Sequence, residues 1–320
     1  MKIYYFILIW FLVITMIMAV STSSMFLIWL SMEMNMMSFI PLISTKKSML
    51  SINSTILYFI PQAFASIIFI FFVLLQMLNS MFMKHFYLII LSSMILKLGA
   101  APFHSWFPQA SEGMTYSSLF LLISIQKIIP LHMLTLFQNW MILFPMIFSA
   151  MIGSMGGLNQ SSMRKILAYS SITHLSWMMT LIMFSSTTWL IYILAYSMIL
   201  FFIIQFNKQL NLNHFNQINF LSKKNSLFMV ISLLTLGGLP PMLGFFMKWI
   251  TLKIAINNMI ILTLPLITSS LINLYFYTRL LYPHFMKMQL SKKWTLKELN
   301  KIWFFIFMNF LGIIIIIPLT

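Results

Sequence analysis

Eleven apolar runs, each about long enough to cross a lipid bilayer, follow one another along the sequence. A membrane-spanning helix needs about 20 apolar residues. Only 7% of the residues are charged and 61% are hydrophobic, whereas roughly a quarter of the residues in a soluble domain are charged. The sequence therefore excludes a soluble enzyme and predicts an all-α polytopic membrane protein. The runs lie at 3–20, 24–44, 55–78, 85–107, 114–137, 140–158, 166–184, 188–207, 226–252, 257–282 and 302–318.

The basic residues fall mainly in the connections between these runs. Loops on the cytoplasmic or matrix side of a membrane collect lysine and arginine. With eleven spans, the side opposite the N-terminus receives only Lys84 and Lys253. We therefore expect the N-terminus in the matrix or cytoplasm and the C-terminus in the opposite compartment. Since topology explains the net charge of +16, we do not expect nucleic-acid binding. The loop residues on the N-terminal side are Lys2, Lys46, Lys47, Arg164, Lys165, Lys208, Lys223, Lys224, Arg279, Lys287, Lys292, Lys293, Lys297 and Lys301.

The sequence offers no obvious ligands for a redox cofactor. It contains no cysteine, which excludes thiolate-bound iron–sulfur clusters, disulfides and thiol catalysis. The six histidines are scattered rather than placed at ligand spacing, so neither a zinc site nor a bis-histidine haem is expected. We therefore expect no metal and no cofactor bound by this chain.

Four ionisable residues lie within predicted spans, namely Glu33, Lys97, Lys127 and Lys248. A charge at the centre of a bilayer costs at least about 2.5 kcal/mol, so such residues usually have a function. Burial favours the neutral form of a lysine, and a nearby carboxylate favours the charged form. A lysine whose distance to Glu33 changes can bind and release a proton, which predicts a proton relay. In the alternative interpretation, Lys97 and Lys248 reach the membrane surface and Glu33 only neutralises Lys97.

Two further residues are candidates for a supporting part in this relay. His174 shares one helical face with Ser170 and Thr173, and a neutral histidine beside hydroxyl groups can pass a proton or simply support helix packing. In the fifth span, helical geometry places Ser117, Ser124 and Lys127 within about a quarter-turn of one another, which gives Lys127 a polar track.

The fourth and ninth spans contain residues that interrupt helices. Gly99 and Pro102 lie in one, and Pro240 and Pro241 in the other. Helices broken at corresponding positions of two halves are typical of transporters built from inverted repeats. The two spans are five apart, which predicts one five-helix repeat over 1–137 and an inverted second repeat over 138–283. A matrix-side loop or interfacial helix over 284–301 and a C-terminal helix over 302–320 complete the predicted organisation.

Three long motifs occur in order along the chain: KLGAAPFHSWFP at 97–108, LNQSSMRKILAYSSITHLSWM at 158–178 and LTLGGLPPMLGFFMKW at 234–249. Together they resemble the antiporter-like membrane-arm subunits of mitochondrial NADH–ubiquinone oxidoreductase (complex I), in the shortened animal form. The resemblance matches the family's relay glutamate to Glu33 and its relay lysines to Lys97, Lys127 and Lys248. Gln109 and Ile125 depart from the family pattern, and no role is carried over to either.

The resemblance implies a core subunit of the proton-translocating NADH:ubiquinone reductase, with FMN, iron–sulfur clusters, NADH and ubiquinone handled by partner subunits. It also implies a place in the mitochondrial inner membrane, with the N-terminus in the matrix and the C-terminus in the intermembrane space. The implied partners are other membrane-arm subunits, hydrophobic accessory subunits and phospholipids including cardiolipin, but not nucleic acid.

Two alternative functions remain compatible with the residues. A stand-alone cation/proton antiporter would move Na⁺ or K⁺ in liposomes without partners, although its cation site would favour more carboxylates than the 3 acidic residues present. A structural membrane scaffold would leave proton pumping unchanged when Lys127 is replaced.

Overall fold

The computed structural model describes residues 2–45, 48–78, 83–185, 187–214, 217, 223–240 and 242–287. This described part is helical and contains no β-strand, which confirms the predicted all-α membrane fold. Eight helical segments in it are long and apolar enough to cross a membrane, and two shorter apolar helices lie at Leu88–Leu98 and Asn225–Gly237. The predicted loop or interfacial helix beyond residue 287, the predicted C-terminal helix over 302–320 and Pro241 lie outside the described residues.

The chain divides into two compact units, Met1–Met146 and Ile147–Thr320. In the first unit, α1 packs against α2, while α3 packs against α2, α4 and α5. The α7 helix packs against α4, α6 and α1. The helices of this unit are α1 (Lys2–Ser21), α2 (Met25–Ile43), α3 (Met49–Leu78), α4 (Met83–Leu98), α5 (Trp106–Gly113), α6 (Tyr116–Ile123) and α7 (Ile125–Leu136).

The second unit is arranged around α9, which packs against α10, α12 and α13. The α11 helix also packs against α10, α12 and α13. The α8 helix begins just before the boundary between the units. The helices concerned are α8 (Leu143–Gly157), α9 (Met163–Phe184), α10 (Thr188–Leu210), α11 (Lys223–Gly237), α12 (Leu243–Asn258) and α13 (Thr263–Lys287).

The α9 helix is buried along most of its length although it is rich in hydroxyl side chains. These hydroxyls donate to carbonyls one turn earlier in the same helix, as Ser170 does to Leu167 and Ser176 to Thr173. Such bonds satisfy a buried hydroxyl without a partner from another helix. This explains how a polar helix can form the core of an apolar unit.

Both helices predicted to be broken are interrupted, and α4 and α11 end in the same way. Gly99 (φ +66°) follows α4 and Gly238 (φ +81°) follows α11 in the left-handed conformation that favours glycine. The residue after each glycine donates its backbone N–H to a carbonyl five residues earlier. Ala100 donates to Ile95, and Leu239 donates to Leu234. Each end is therefore a Schellman motif, which satisfies carbonyls that the helix leaves open.

One interruption differs from the sequence analysis, which treated 114–137 as one continuous span. The α6 helix ends at Ile123 and α7 begins at Ile125. Ser124 lies between them, and its hydroxyl donates to the carbonyl of Phe120 at 2.6 Å. A serine bond back into the preceding turn competes with the regular helix pattern. The helix is thus interrupted at one residue, three positions before Lys127, although Tyr116–Leu136 remains one apolar span.

Candidate functional site: buried lysines of the two units

Lys97 lies in the last turn of α4, directly before the break, and is only 8% exposed. A cation at this position interacts favourably with the partial negative charge of a helix C-terminus. Its ammonium group is 3.6 Å from the sulfur of Met32 on α2. The carboxylate of Glu33, which follows Met32, is close enough to interact electrostatically with Lys97. The structure therefore places Glu33 within electrostatic range of Lys97, next to the methionine that Lys97 contacts.

Lys127 lies in the first turn of α7 and is 2% exposed. Its ammonium group lies over the ring of Phe107, 5.0 Å from the ring centroid. A lysine over an aromatic face is stabilised in its charged form, because the face carries negative electrostatic potential. Phe107 belongs to α5, the short helix that follows the break after Lys97.

The α3 helix contributes polar residues that the sequence analysis did not identify. Tyr58 and Gln62 are buried one turn apart in the middle of this largely apolar helix. The hydroxyl of Tyr58 donates to the side-chain carbonyl of Gln126 at 3.3 Å, and Tyr58 lies within electrostatic range of Glu33. The amide of Gln62 donates to the backbone carbonyl of Lys97 at 3.0 Å. A polar pair at i, i+4 in an apolar span could have revealed these residues.

We expect Gln62→Leu to destabilise the first unit by about 1–3 kcal/mol, because it leaves the carbonyl of Lys97 buried without this partner. The thermal denaturation midpoint of the assembled membrane complex measures the effect. Gln109→Leu is the matched control, since Gln109 is exposed on α5. Equal midpoints for the two variants would show that the Gln62 bond contributes little.

Lys248 lies on α12 and is 6% exposed. Its ammonium group donates to the carbonyl oxygens of Gly237 at 2.8 Å and Leu236 at 3.4 Å, at the C-terminal end of α11. It also lies 5.9 Å from the centroid of a Trp177 ring. The open end of the broken α11 helix thus accepts hydrogen bonds from a buried lysine, and the negative end of the helix dipole favours the charged form of that lysine.

The two broken helices differ in what binds their last carbonyls. On α11 the donor is the ammonium group of Lys248. On α4 the donors are neutral, since Trp106 donates its indole N–H to Leu96 at 3.2 Å and Gln62 donates to Lys97. The motif is the same, but the lysine precedes the break in one unit and binds across it in the other.

Of the residues predicted to break these helices, Pro102 follows a cis Ala101–Pro102 peptide bond and Pro240 lies in an exposed turn.

His174 is buried on α9 and its Nδ1 atom lies 2.7 Å from the hydroxyl of Tyr192 on α10. Its ring also lies 4.4 Å from the ring centroid of Tyr196. Thr173, predicted to share its face, instead accepts a hydrogen bond from the amide of Asn273 on α13 at 2.7 Å. The predicted polar face therefore contacts two different helices. An imidazole bonded to a phenol can change its protonation state without losing that partner.

These sites combine buried lysines with a carboxylate, hydroxyl groups and aromatic rings. Such groups can bind and release protons, because the charge of each lysine depends on the few groups around it. Within the described residues, no cluster of three or more histidines and carboxylates could hold a metal ion.

Comparisons with known proteins show which family the sequence and the fold match. The sequence profile of the family described as NADH:quinone oxidoreductase/Mrp antiporter, TM, matches residues 22–273. The chain is 41% identical over 293 residues to NADH-ubiquinone oxidoreductase chain 2 of Anopheles gambiae, covering 87% of this chain and 85% of that protein. It is 37% identical over 312 residues to the protein of the same name from Rhipicephalus sanguineus, with 97% and 98% coverage.

Two solved structures share the fold. A chain of respiratory complex I from Thermus thermophilus superposes with a TM-score of 0.80 at 19% identity, covering 88% of this chain and 70% of that one. A chain of the Mrp complex from a Dietzia species gives a TM-score of 0.77 at 18% identity, with 85% and 59% coverage. The chain therefore belongs to the NADH-ubiquinone oxidoreductase chain 2 family, within the NADH:quinone oxidoreductase/Mrp antiporter membrane proteins.

Proposed function

We propose that this chain, a proton-translocating membrane subunit of the NADH:ubiquinone reductase complex I, moves protons through Glu33, Lys97, Lys127 and Lys248. The observation that carries the proposal is the burial of three lysines in apolar helical units. Each buried ammonium is costly in a membrane protein, and residues of this kind commonly serve ion or proton pathways. The carboxylate near Lys97 supplies the variable partner that such a pathway needs.

The proposed cycle begins with an electrostatic or conformational signal from the subunits that oxidise NADH and reduce quinone. Glu33 and Lys97 change their separation, so Lys97 loses its stabilising carboxylate and releases its proton toward Lys127. Lys248 releases a proton outward. Moving one charge against 100 mV costs about 2.3 kcal/mol, and like charges about 6 Å apart at a dielectric near 20 repel by about 3 kcal/mol. The driving interaction therefore has the required size.

His174 and Ser124 have supporting parts in this proposal. The hydrogen bond of His174 to Tyr192 supports a proton-carrying role, since both groups can donate and accept. The hydroxyl of Ser124 donates to its own preceding turn, so it can offer the relay only an acceptor oxygen in this arrangement.

We also propose the two inverted repeats over 1–137 and 138–283 and the C-terminal helix over 302–320. The shared Schellman motif at Gly99 and Gly238 supports repeats that each contain one broken helix. An odd number of spans in the first repeat would invert the second.

The protein is a multi-pass protein of the mitochondrial inner membrane. We propose that its N-terminus faces the matrix and its C-terminus the intermembrane space, because most of its loop lysines and arginines then lie in the matrix. The iron–sulfur clusters are proposed to bind to partner subunits, because this chain has no cysteine ligand to offer. FMN, NADH and ubiquinone are also proposed to bind to partner subunits, as the family resemblance implies.

The chain partners with other membrane-arm subunits, and we propose hydrophobic accessory subunits and phospholipids, including cardiolipin, as further partners. Glu33 is only half-buried within this chain, and a carboxylate at bilayer depth is costly when it faces lipid, so a neighbouring subunit is proposed to cover it. In the second unit, an open cavity of about 430 Å³ is lined in part by Arg279, Tyr275 and Tyr282. The lining is mostly apolar, and its one basic residue, Arg279, donates to the carbonyl of Leu158 at 2.9 Å. The remaining N–H groups of Arg279 are proposed to bind an anionic lipid head group.

The replacement Glu33→Gln tests the proposed function, because it removes the charge that stabilises protonated Lys97 and keeps the side-chain shape. We expect proton pumping per NADH oxidised by the assembled complex to fall about three- to tenfold. Glu112→Gln makes the same change at an exposed carboxylate and should leave pumping near its normal value. Normal pumping by the Glu33 variant would overturn the role of this carboxylate.

A further inference from the structure

The position of Phe107 between the α4 break and Lys127 gives it more than a packing role. Phe107 is buried, and a β-carbon added at Gly99 would lie 2.9 Å from its side chain. The face of the same ring lies over the ammonium group of Lys127. One aromatic side chain therefore contacts both the backbone that ends α4, two residues after Lys97, and the ammonium group of the next relay lysine.

The surrounding contacts hold Phe107 to the end of α4. Its neighbour Trp106 packs edge-on against it at 5.4 Å between ring centroids, and the Trp106 indole donates to the carbonyl of Leu96 in α4. The backbone N–H of Phe107 donates to the carbonyl of His104 at 3.1 Å. A displacement of the last turn of α4 must therefore move Phe107 with it, since packed interiors transmit shifts rather than absorb them.

The geometry points to Phe107 as a positioning residue that couples the end of α4 to the charge of Lys127. When the ring lies over the ammonium group, it favours protonated Lys127; when α4 shifts, the ring leaves this position and the proton is held less tightly. This inference rests on the proposed role of Lys127 as a proton carrier. It adds a neutral residue through which a change at Lys97 reaches Lys127.

The test compares the pH dependence of proton pumping in assembled complexes that carry Phe107→Leu or Phe107→Tyr. Loss of the aromatic face should weaken proton binding at Lys127 about three- to thirtyfold, and the alkaline limb of the pH profile should move about 0.5 to 1.5 pH units lower. Phe107→Tyr keeps the ring and should keep the profile near its normal position. Phe69→Leu is the matched control, because Phe69 is equally buried in the same unit.

The same shift in Phe107→Leu and Phe69→Leu, or an equally large shift in Phe107→Tyr, would overturn the inference. If Phe107→Leu fails to assemble, ring-fluorinated phenylalanines at position 107 keep the shape while weakening the π face. The shift should then grow with each fluorine, and an unchanged profile across the series would overturn the inference. Lys127→Met separates the two proposals. Normal proton pumping in that variant would overturn the proposed function itself. If Lys127→Met is inactive and the Phe107 variants keep the normal pH profile, only the coupling role of Phe107 is overturned.

Discussion

A Lys127→Met complex should assemble normally but pump protons at least about tenfold more slowly than the unmodified complex. Methionine approximates the volume and flexibility of the lysine stem and fits irregular cores well, so the packing around α7 should survive. It cannot bind a proton, and a positioned proton-transfer group commonly contributes a factor of about 100 or more. Proton uptake by proteoliposomes during NADH oxidation measures the loss, and native gel electrophoresis measures assembly.

Lys253→Met is the matched control for this replacement. Lys253 is an exposed lysine on α12 whose ammonium group lies 5.8 Å from a ring centroid of Trp249. Its loss should leave pumping unchanged. If the Lys127 and Lys253 variants pump equally well, the chain is better described as a structural scaffold of the membrane arm. Transport of Na⁺ or K⁺ by the isolated chain in liposomes would instead favour a stand-alone antiporter.

A Gly244→Ala complex should be strongly destabilised and should accumulate at a several-fold lower level. Gly244 lies at the start of α12, where an added β-carbon would overlap the carbonyl oxygen of Thr235 in α11. Neither backbone can move without disturbing the break that Lys248 binds. Overpacking of this kind typically costs about 1–3 kcal/mol, and contact with backbone lies at the upper end. The amount of assembled complex and its rate of thermal inactivation measure the effect.

A second glycine, in the Schellman motif that ends α11, provides the control for Gly244→Ala. Gly237 ends α11, and a β-carbon added there would meet its nearest atom, in Tyr277, at an ordinary contact distance of 3.5 Å. Gly237→Ala should therefore assemble normally, since alanine is also the better helix former. Equal assembly of the Gly237 and Gly244 variants would show that the close approach of α12 to α11 does not constrain position 244.

The breaks after α4 and α11 could be predicted from the sequence because their causes are local. Glycine occupies the left-handed conformation more readily than any other residue, and proline cannot continue a helix, so Gly99 and the region after Gly238 indicated interruptions directly. The break at Ser124 lacked such a signal. It coincides with a serine hydroxyl bonded to the preceding turn, an arrangement that many helical serines adopt without breaking a helix.

The buried lysines were also identifiable, but their partners were not. Lys97 and Met32 are 65 positions apart in the chain, and no spacing rule connects them. The pairing of Glu33 with Lys97 could be proposed because Glu33 is the one carboxylate within a predicted span. The carbonyls that bind Lys248 and the ring that covers Lys127 belong to groups of no distinctive charge, so composition could not single them out.

The sequence by itself determined that this chain is a helical membrane protein, that α4 and α11 are interrupted and which ionisable residues lie inside it. These properties follow from the length of each apolar run and from the conformational limits of single residues. Only the tertiary structure decided that Phe107 covers Lys127, that Gln62 binds the end of α4 and that Lys248 binds the end of α11. The physical reason is that the charge state of a buried lysine depends on contacts within a few ångströms, and helix packing selects those contacts from distant parts of the chain.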